Sequence, residues 1–217
     1  MEKAIILLSG GLDSCVSASV AVRGYESYAI AFDYGQTRRE LEAAGKIARE
    51  LNINFRVIGL PFLKPKTEAE IPVLESSELD DVGIATKTMK QVWIPARNLV
   101  FLAVASSIAE ESECSKIFTG FNAEEGVTFP DNTPQFVSKF NKMLKYGVLN
   151  NIEITAPLIA LNKWKIVKLG SEISAPMELS WSCYKSKDVH CGKCESCRRR
   201  RRGFEKANIP DLTDYLE

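Results

Sequence analysis

The sequence lacks a surplus of charge, a long apolar run and, but for His190, any histidine. Lysine plus arginine and aspartate plus glutamate each number 28. A chain so balanced has no global field to draw it onto nucleic acid or an anionic membrane. Its opening apolar run, Ala4–Leu8, is shorter than a signal-peptide core of about 7–15 residues, and nothing approaches the ~20 residues that span a bilayer. These absences point to a cytoplasmic protein with no membrane partner. Neither the Gly-Lys-Ser/Thr of a Walker A loop nor a Gly-x-Gly-x-x-Gly fingerprint is found, which removes two common ways of holding a nucleotide. No internal repeat divides the chain.

What is present is unevenly placed. Of six cysteines, Cys15 and Cys114 stand alone while Cys183, Cys191, Cys194 and Cys197 crowd together. A reducing cytosol disfavours disulfides, so the cluster points to metal. Four thiolates at these spacings fill a tetrahedral zinc site and leave no open position, the mark of a structural site. Cys191-x2-Cys194-x2-Cys197 also matches part of an iron–sulfur ligand set, but Arg198–Arg202 follows in place of a further cysteine and proline. Zinc, one ion per chain, is the favoured reading. His190 could compete as a ligand, yet four cysteines make it unnecessary. The five arginines admit a nucleic-acid surface. The simpler reading is that they offset the negative charge of a four-thiolate zinc site, since five successive helical residues point in nearly all directions.

The 217 residues suit one domain with an appendage, divided here as 1–178 and 179–217. Apolar runs at Ala4–Leu8, Tyr28–Phe32, Phe55–Ile58, Lys116–Thr119 and Ile152–Thr155 read as strands. Helical spacing occupies 12–22, Arg38–Leu51, Leu99–Ala109 (apolar enough to be buried on most sides) and Pro134–Leu149, the last with Phe136, Phe140, Met143 and Leu144 facing inward. Asn162 caps a helix through Leu169. This alternation predicts an α/β fold, a Rossmann-like parallel sheet of about five strands with helices on both faces. Between 60 and 95 the chain is polar, proline-bearing and aperiodic, and reads as a long loop.

In open parallel sheets, ligands gather beyond the carboxyl ends of the strands. There the first strand runs into Leu8-Ser9-Gly10-Gly11-Leu12-Asp13-Ser14. Glycines allow close backbone approach to a ligand. The unpaired amides that open the next helix suit phosphate oxygens, and Ser9 and Ser14 add hydroxyls. Asp13 would repel a phosphate, so it holds Mg²⁺ or orients the turn. Asp33 and Tyr34 close the second strand beside the same crevice, unless Asp33 merely caps the helix before Arg38. Cys15 is flanked by Val16 and Ala18, which suggests packing.

Ser-Gly-Gly-x-Asp-Ser resembles the pyrophosphate loop of the ATP pyrophosphatases, enzymes of the adenine nucleotide α-hydrolase-like fold that adenylate a carbonyl-type oxygen. Joined with Phe32-Asp33-Tyr34-Gly35-Gln36, Ile94-Pro95-Ala96-Arg97-Asn98, Thr119-Gly120, Pro130-Asp131 and Ser182-Cys183-Tyr184 with the later cysteines, it resembles the 7-cyano-7-deazaguanine synthase family over essentially its whole length. That resemblance implies an ATP-dependent ligase acting on 7-carboxy-7-deazaguanine and ammonia, with Mg²⁺ accompanying ATP. The carboxylate becomes an acyl-adenylate, ammonia converts it to an amide, and a second activation yields the nitrile, destined for queuosine or archaeosine.

It further implies that Asp13 and Arg97 are catalytic. Leu8–Ser14, Asp33 and Tyr34 would bind ATP, and Arg97, Asn98, Gly120, Glu125, Phe129 and Asp131 the substrate. Arg97 is a clamp for a carboxylate or phosphate, or else a member of a buried ion pair. The family commonly shows an acidic residue and Ser-Gly-Tyr ahead of Pro-Asp. Here Phe129 keeps the aromatic face without the hydroxyl, and Glu125 adds a methylene. The resemblance leans toward a homodimer. An alternative within the superfamily is a tRNA-modifying enzyme, by thiolation or lysidine-type ligation; a third class is a zinc-binding module without catalysis.

Overall fold

The structure, a computed structural model, describes residues 1–64, 79, 82–185 and 188–216. Five strands, β1 (Lys3–Leu7), β2 (Glu26–Asp33), β3 (Asn54–Gly59), β4 (Lys116–Phe118) and β5 (Glu153–Thr155), form one sheet in the order β3-β2-β1-β4-β5. Every pairing is parallel, as the alternation of strands and helices predicts. The chain winds outward from β1 through β2 to β3 and then returns to β4 on the other side of β1. The carboxyl ends of β1 and β4 therefore flank the point where the winding reverses, the place where such sheets bind ligands.

Strand alternation builds two cores. Ala4, Ile6, Ala29, Ala31 and Phe118 face one layer, with α1 (Leu12–Ala21), α2 (Arg38–Glu50), α7 (Lys163–Glu172) and α8 (Glu195–Ala207) packed on that side. Ile5, Ile30, Phe32 and Ile117 face the other, under α4 (Arg97–Glu111) and α6 (Pro134–Gly147). Near-continuous apolar strands are what a sheet covered on both faces demands. The edge strand β3 is the exception, with Val57 open to solvent.

Three expectations need correction. The aperiodic stretch 60–95 contains a helix, α3 (Val82–Val92), whose threonines and lysines give no sustained apolar period; most of the rest of that stretch lies outside the described residues. Met143 does not face inward but is 49% exposed, while Phe140 and Leu144 beside it are buried. α4 is buried along one face, through Asn98, Leu102, Ala105, Ser106 and Ala109, rather than on most sides, and Leu99 is exposed. Asn162 caps α7 as expected, its side-chain oxygen accepting from the Lys165 amide at 3.4 Å. No helix among the described residues is long and apolar enough to cross a membrane.

Helix α8 and the tail after it fold back onto the body. Arg200 on α8 is 1% exposed. It donates to Asp211 on the tail and to the Met177 carbonyl and Ser180 hydroxyl on the body, at 2.6–3.2 Å.

Candidate active site and metal centre

Gly10 has φ +90 and no space for a side chain: a Cβ there would lie 2.1 Å from the Glu40 carbonyl oxygen on α2. The close approach expected between this glycine and a ligand is instead an approach to a neighbouring helix, which presses the loop into shape from behind. Gly120, at the end of β4, performs the same service on the opposite side, since its Cβ would lie 2.9 Å from the Ser14 amide nitrogen. Gly11 caps α1 with extended backbone and no side-chain cap. The helix's first amides are left without internal partners.

Inside the loop the Ser9 hydroxyl donates to Ser14 at 3.0 Å, and Ser14 donates to the Gly11 carbonyl at 3.0 Å. Leu8 and Leu12 are core residues, so only their backbone can reach a nucleotide. The Trp181 amide donates to the Gly10 carbonyl at 2.8 Å, tying the C-terminal segment to the loop.

Asp13 is tied to a second helix. Its carboxylate accepts from the Lys163 ammonium at 2.6 and 2.8 Å and from Asn122 at 3.3 Å, so that it spans from α1 to α7. Burial opposes the Lys163 charge, but Asp13 and Glu125 outweigh it and hold its pKa above the ordinary value. Lys163 was missed in the sequence, although a signal exists: a lysine in the first turn of a helix opposes the helix dipole and needs a carboxylate nearby.

Asp33 does not cap α2. Thr37 does, accepting from the Arg39 amide, while Asp33 accepts from the Gly35 amide at 3.1 Å in a turn at the strand end. Tyr34 is half-buried against Phe101, with ring centroids 5.6 Å apart, and lies beside Arg97.

Arg97 opens α4 after Ala96, whose left-handed φ of 55 is strain held at a site. Among the described residues it forms no ion pair. Burial works against its charge, and Tyr34, Tyr184, Glu125 and Asp131 together keep it firmly protonated. Asn98 donates to the Asp131 carbonyl at 3.4 Å. The Asp131 side chain is buried, and its Oδ1 has no hydrogen-bond partner; burial raises its pKa against the pull of Arg97.

Glu125 follows the Asn122 cap of α5 (Ala123–Gly126) and accepts from Asn132 at 2.7 Å. Desolvation and the nearby Asp13 raise its pKa although it stays open to solvent. Crowding together with openness is the character of a cleft wall. Phe129 stands 6.2 Å from Trp93, centroid to centroid. The structure thus gathers Ser9, Asp13, Ser14, Tyr34, Arg97, Gly120, Glu125 and Asp131 beyond the carboxyl ends of β1, β2 and β4. To these it adds Lys163, Asn122, Tyr184 and Glu40; Tyr184 stands in Ser182-Cys183-Tyr184, and Glu40 in a Thr-x-x-Glu pattern.

The four clustered cysteines offer sulfurs that all lie within 4.8 Å of one another. A tetrahedral ion with metal–sulfur bonds of about 2.3 Å places its ligands ~3.8 Å apart, so the donor set fits a metal. Backbone amides of Lys185 and Cys191 donate to the Cys183 sulfur at 3.4 and 3.3 Å, and that of Cys194 to the Cys191 sulfur at 3.3 Å. His190 is engaged elsewhere, its Nε2 accepting from the Ser182 amide at 2.9 Å. Burial, then Arg200, pushes its pKa down to about 4. The arginines find carboxylates as well: Arg199 pairs with Glu195 and Glu124, and Arg200 with Asp211. Cys15 is buried and its thiol is pushed up to about 12, chiefly by burial, so it is a packing residue.

Residues 3–208 match the family described as queuosine biosynthesis protein QueC. The chain belongs to this family. A protein named 7-cyano-7-deazaguanine synthase from Methanobrevibacter smithii is 47% identical, with 100% of this chain and 99% of the relative covered. One of the same name from Methanocaldococcus jannaschii is 49% identical, with 99% of this chain and 100% of the relative covered. Among solved structures, a predicted subunit of a tRNA methyltransferase from M. jannaschii has a TM-score of 0.51 at 17% identity, with 100% of this chain and 93% of the other covered. That likeness concerns the fold. As a QueC-family member the chain is a biosynthetic enzyme.

Proposed function

We propose that the protein uses ATP to convert 7-carboxy-7-deazaguanine and ammonia to 7-cyano-7-deazaguanine in the cytoplasm, through two adenylated intermediates. The observation that carries this reading is the loop 8–14 at the reversal point of the sheet, sharing one crevice with an arginine that has no ion-pair partner among the described residues. Carboxylate and amide oxygens are poor leaving groups until they carry a nucleotide. The enzyme's central task is therefore to stabilise the departing pyrophosphate, and the amides that open α1, with Ser9 and Ser14, do so where negative charge grows.

Asp13 keeps the loop in register through Lys163 and is the carboxylate that would hold the Mg²⁺ accompanying ATP. Backbone at Leu8–Leu12, with Asp33 and Tyr34, borders the nucleotide. Arg97 clamps the substrate carboxylate against the α-phosphate. Asn98, Gly120, Glu125, Phe129 and Asp131 frame the deazapurine, Phe129 by stacking and Glu125 by accepting from its N–H edge. Cys183, Cys191, Cys194 and Cys197 hold one zinc ion, which supplies cross-linking rather than chemistry. The internal pairing of Arg199 and Arg200 supports a role without direct nucleic-acid contact. Exposed Met143, Tyr146 and Leu149 near the end of α6 are compatible with self-association into a homodimer.

The test supplies ATP, Mg²⁺, ammonium and 7-carboxy-7-deazaguanine and follows AMP and nitrile together. Nitrile formed with two AMP per turnover is the expected result. AMP without a deazaguanine product would move the reading to a tRNA-modifying activity.

A further inference from the structure

Thr37-x-x-Glu40 has the sequence of a capping box, in which the glutamate turns back to the amide of the capping threonine. Thr37 fulfils its half. Glu40 does not: among the described residues its carboxylate has neither a hydrogen-bond donor nor an ion-pair partner. Its main chain is fixed against the loop after β1, since its own carbonyl packs on Gly10, and its carboxylate lies near Arg97. The charged and titratable groups that face it come from three other elements: Arg97 on α4, Tyr34 after β2, and Tyr184 on the cysteine-bearing segment. Both tyrosines are pushed up, first by desolvation, and so stay protonated.

The reaction proposed above needs a proton acceptor. When ammonia attacks the acyl-adenylate, a C–N bond forms, the C–O bond to AMP breaks, and nitrogen must shed a proton. When the amide oxygen then attacks the α-phosphorus of a second ATP, pyrophosphate leaves and one N–H proton is lost. Loss of the last N–H proton lets those electrons complete the C≡N bond as the C–O bond breaks and AMP departs with the oxygen. Three protons leave nitrogen in all, and none leaves in the first adenylation of the carboxylate.

We propose that the Glu40 carboxylate accepts these protons and passes them to solvent. The other carboxylates of the crevice are engaged: Asp13 by Lys163, Glu125 by Asn132, and Asp33 by the Gly35 amide, while the unpartnered oxygen of Asp131 is buried. Glu40 is held mostly by desolvation at a pKa of about 7, the range in which a carboxylate exchanges protons efficiently at neutral pH.

The inference rests on the ligase reading, and the steps can be read separately. Glu40→Gln should retain carboxylate-dependent ATP–pyrophosphate exchange within about threefold and lose conversion of amide to nitrile by about 10²–10⁴-fold. It should also lose the rise of that rate with pH through about 7, and Glu40→Asp should restore part of it. Glu42→Gln, on the exposed side of α2, should change neither step. Equal loss of exchange and nitrile formation in a folded Glu40→Gln, or an undiminished nitrile rate, would overturn the assignment. Absence of exchange in the unaltered enzyme would instead overturn the ligase reading beneath it.

Discussion

Glycine at position 10 answers to two constraints at once, a left-handed φ and the carbonyl of Glu40 where a Cβ would stand. Gly10→Ala should therefore displace α2 and the loop together. We expect a stability loss of about 1–3 kcal/mol and a rise in KM for ATP, measured by thermal unfolding and initial rates. Asp13→Ala should leave Lys163 buried without its counter-charge and lose turnover while keeping the fold. Glu40 gives a prediction with a definite sign. It titrates near 7 when folded, against about 4.5 for an ordinary glutamate. Between these values the folded state keeps a proton that the unfolded chain has lost, so stability from this group falls as pH rises from about 4.5 to about 7. Glu40→Gln should raise stability at pH 8 and leave it unchanged at pH 4. One pKa unit is worth about 1.4 kcal/mol, and residual contact with water keeps the gain to about 1–3 kcal/mol. A more stable variant that makes less nitrile would be the mark of a group kept in place for chemistry.

Helices and strands were legible where periodicity was strong. α2 follows from its recurring Leu41, Ala44, Ile47, Ala48 and Leu51, and the strands of the sheet from short apolar runs between turns. α3 was not legible, since threonine and lysine between its apolar residues obscure the period, and helix α6 was read one residue too wide in its apolar face at Met143. The cap of α7 was visible, and Asn162→Ala should cost about 1 kcal/mol. It should also loosen the seat of Lys163 and so weaken turnover slightly. The buried guanidinium of Arg200 needs its tail partner. Asp211→Ala should cost about 3–5 kcal/mol by chemical denaturation, most of it from leaving a buried charge unpaired.

At the scale of the molecule, motifs close to one another in sequence were readable as candidates: Ser9–Ser14 as the proposed anion site, and Cys183–Cys197 as a cluster that could hold a metal. What joins them was not. The salt bridge from Asp13 to Lys163 spans 150 positions, and the amide of Trp181 reaches Gly10 across the whole sheet domain; such pairings are set by topology, which no local pattern encodes. The cysteine-bearing segment and the loop after β1 are thus joined directly. Chelation, or Cys194→Ala, should release Trp181 and Tyr184 along with the tail and abolish nucleotide binding as well as solubility, with one zinc per chain lost by elemental analysis. Iron with sulfide would contradict the zinc reading. The account stands most directly on where ATP puts its phosphates. A crystal structure with a non-hydrolysable ATP analogue and Mg²⁺ should show the β- and γ-phosphates against the amides of Gly11–Ser14 at the start of α1. Phosphates bound elsewhere, with that corner empty, would contradict it.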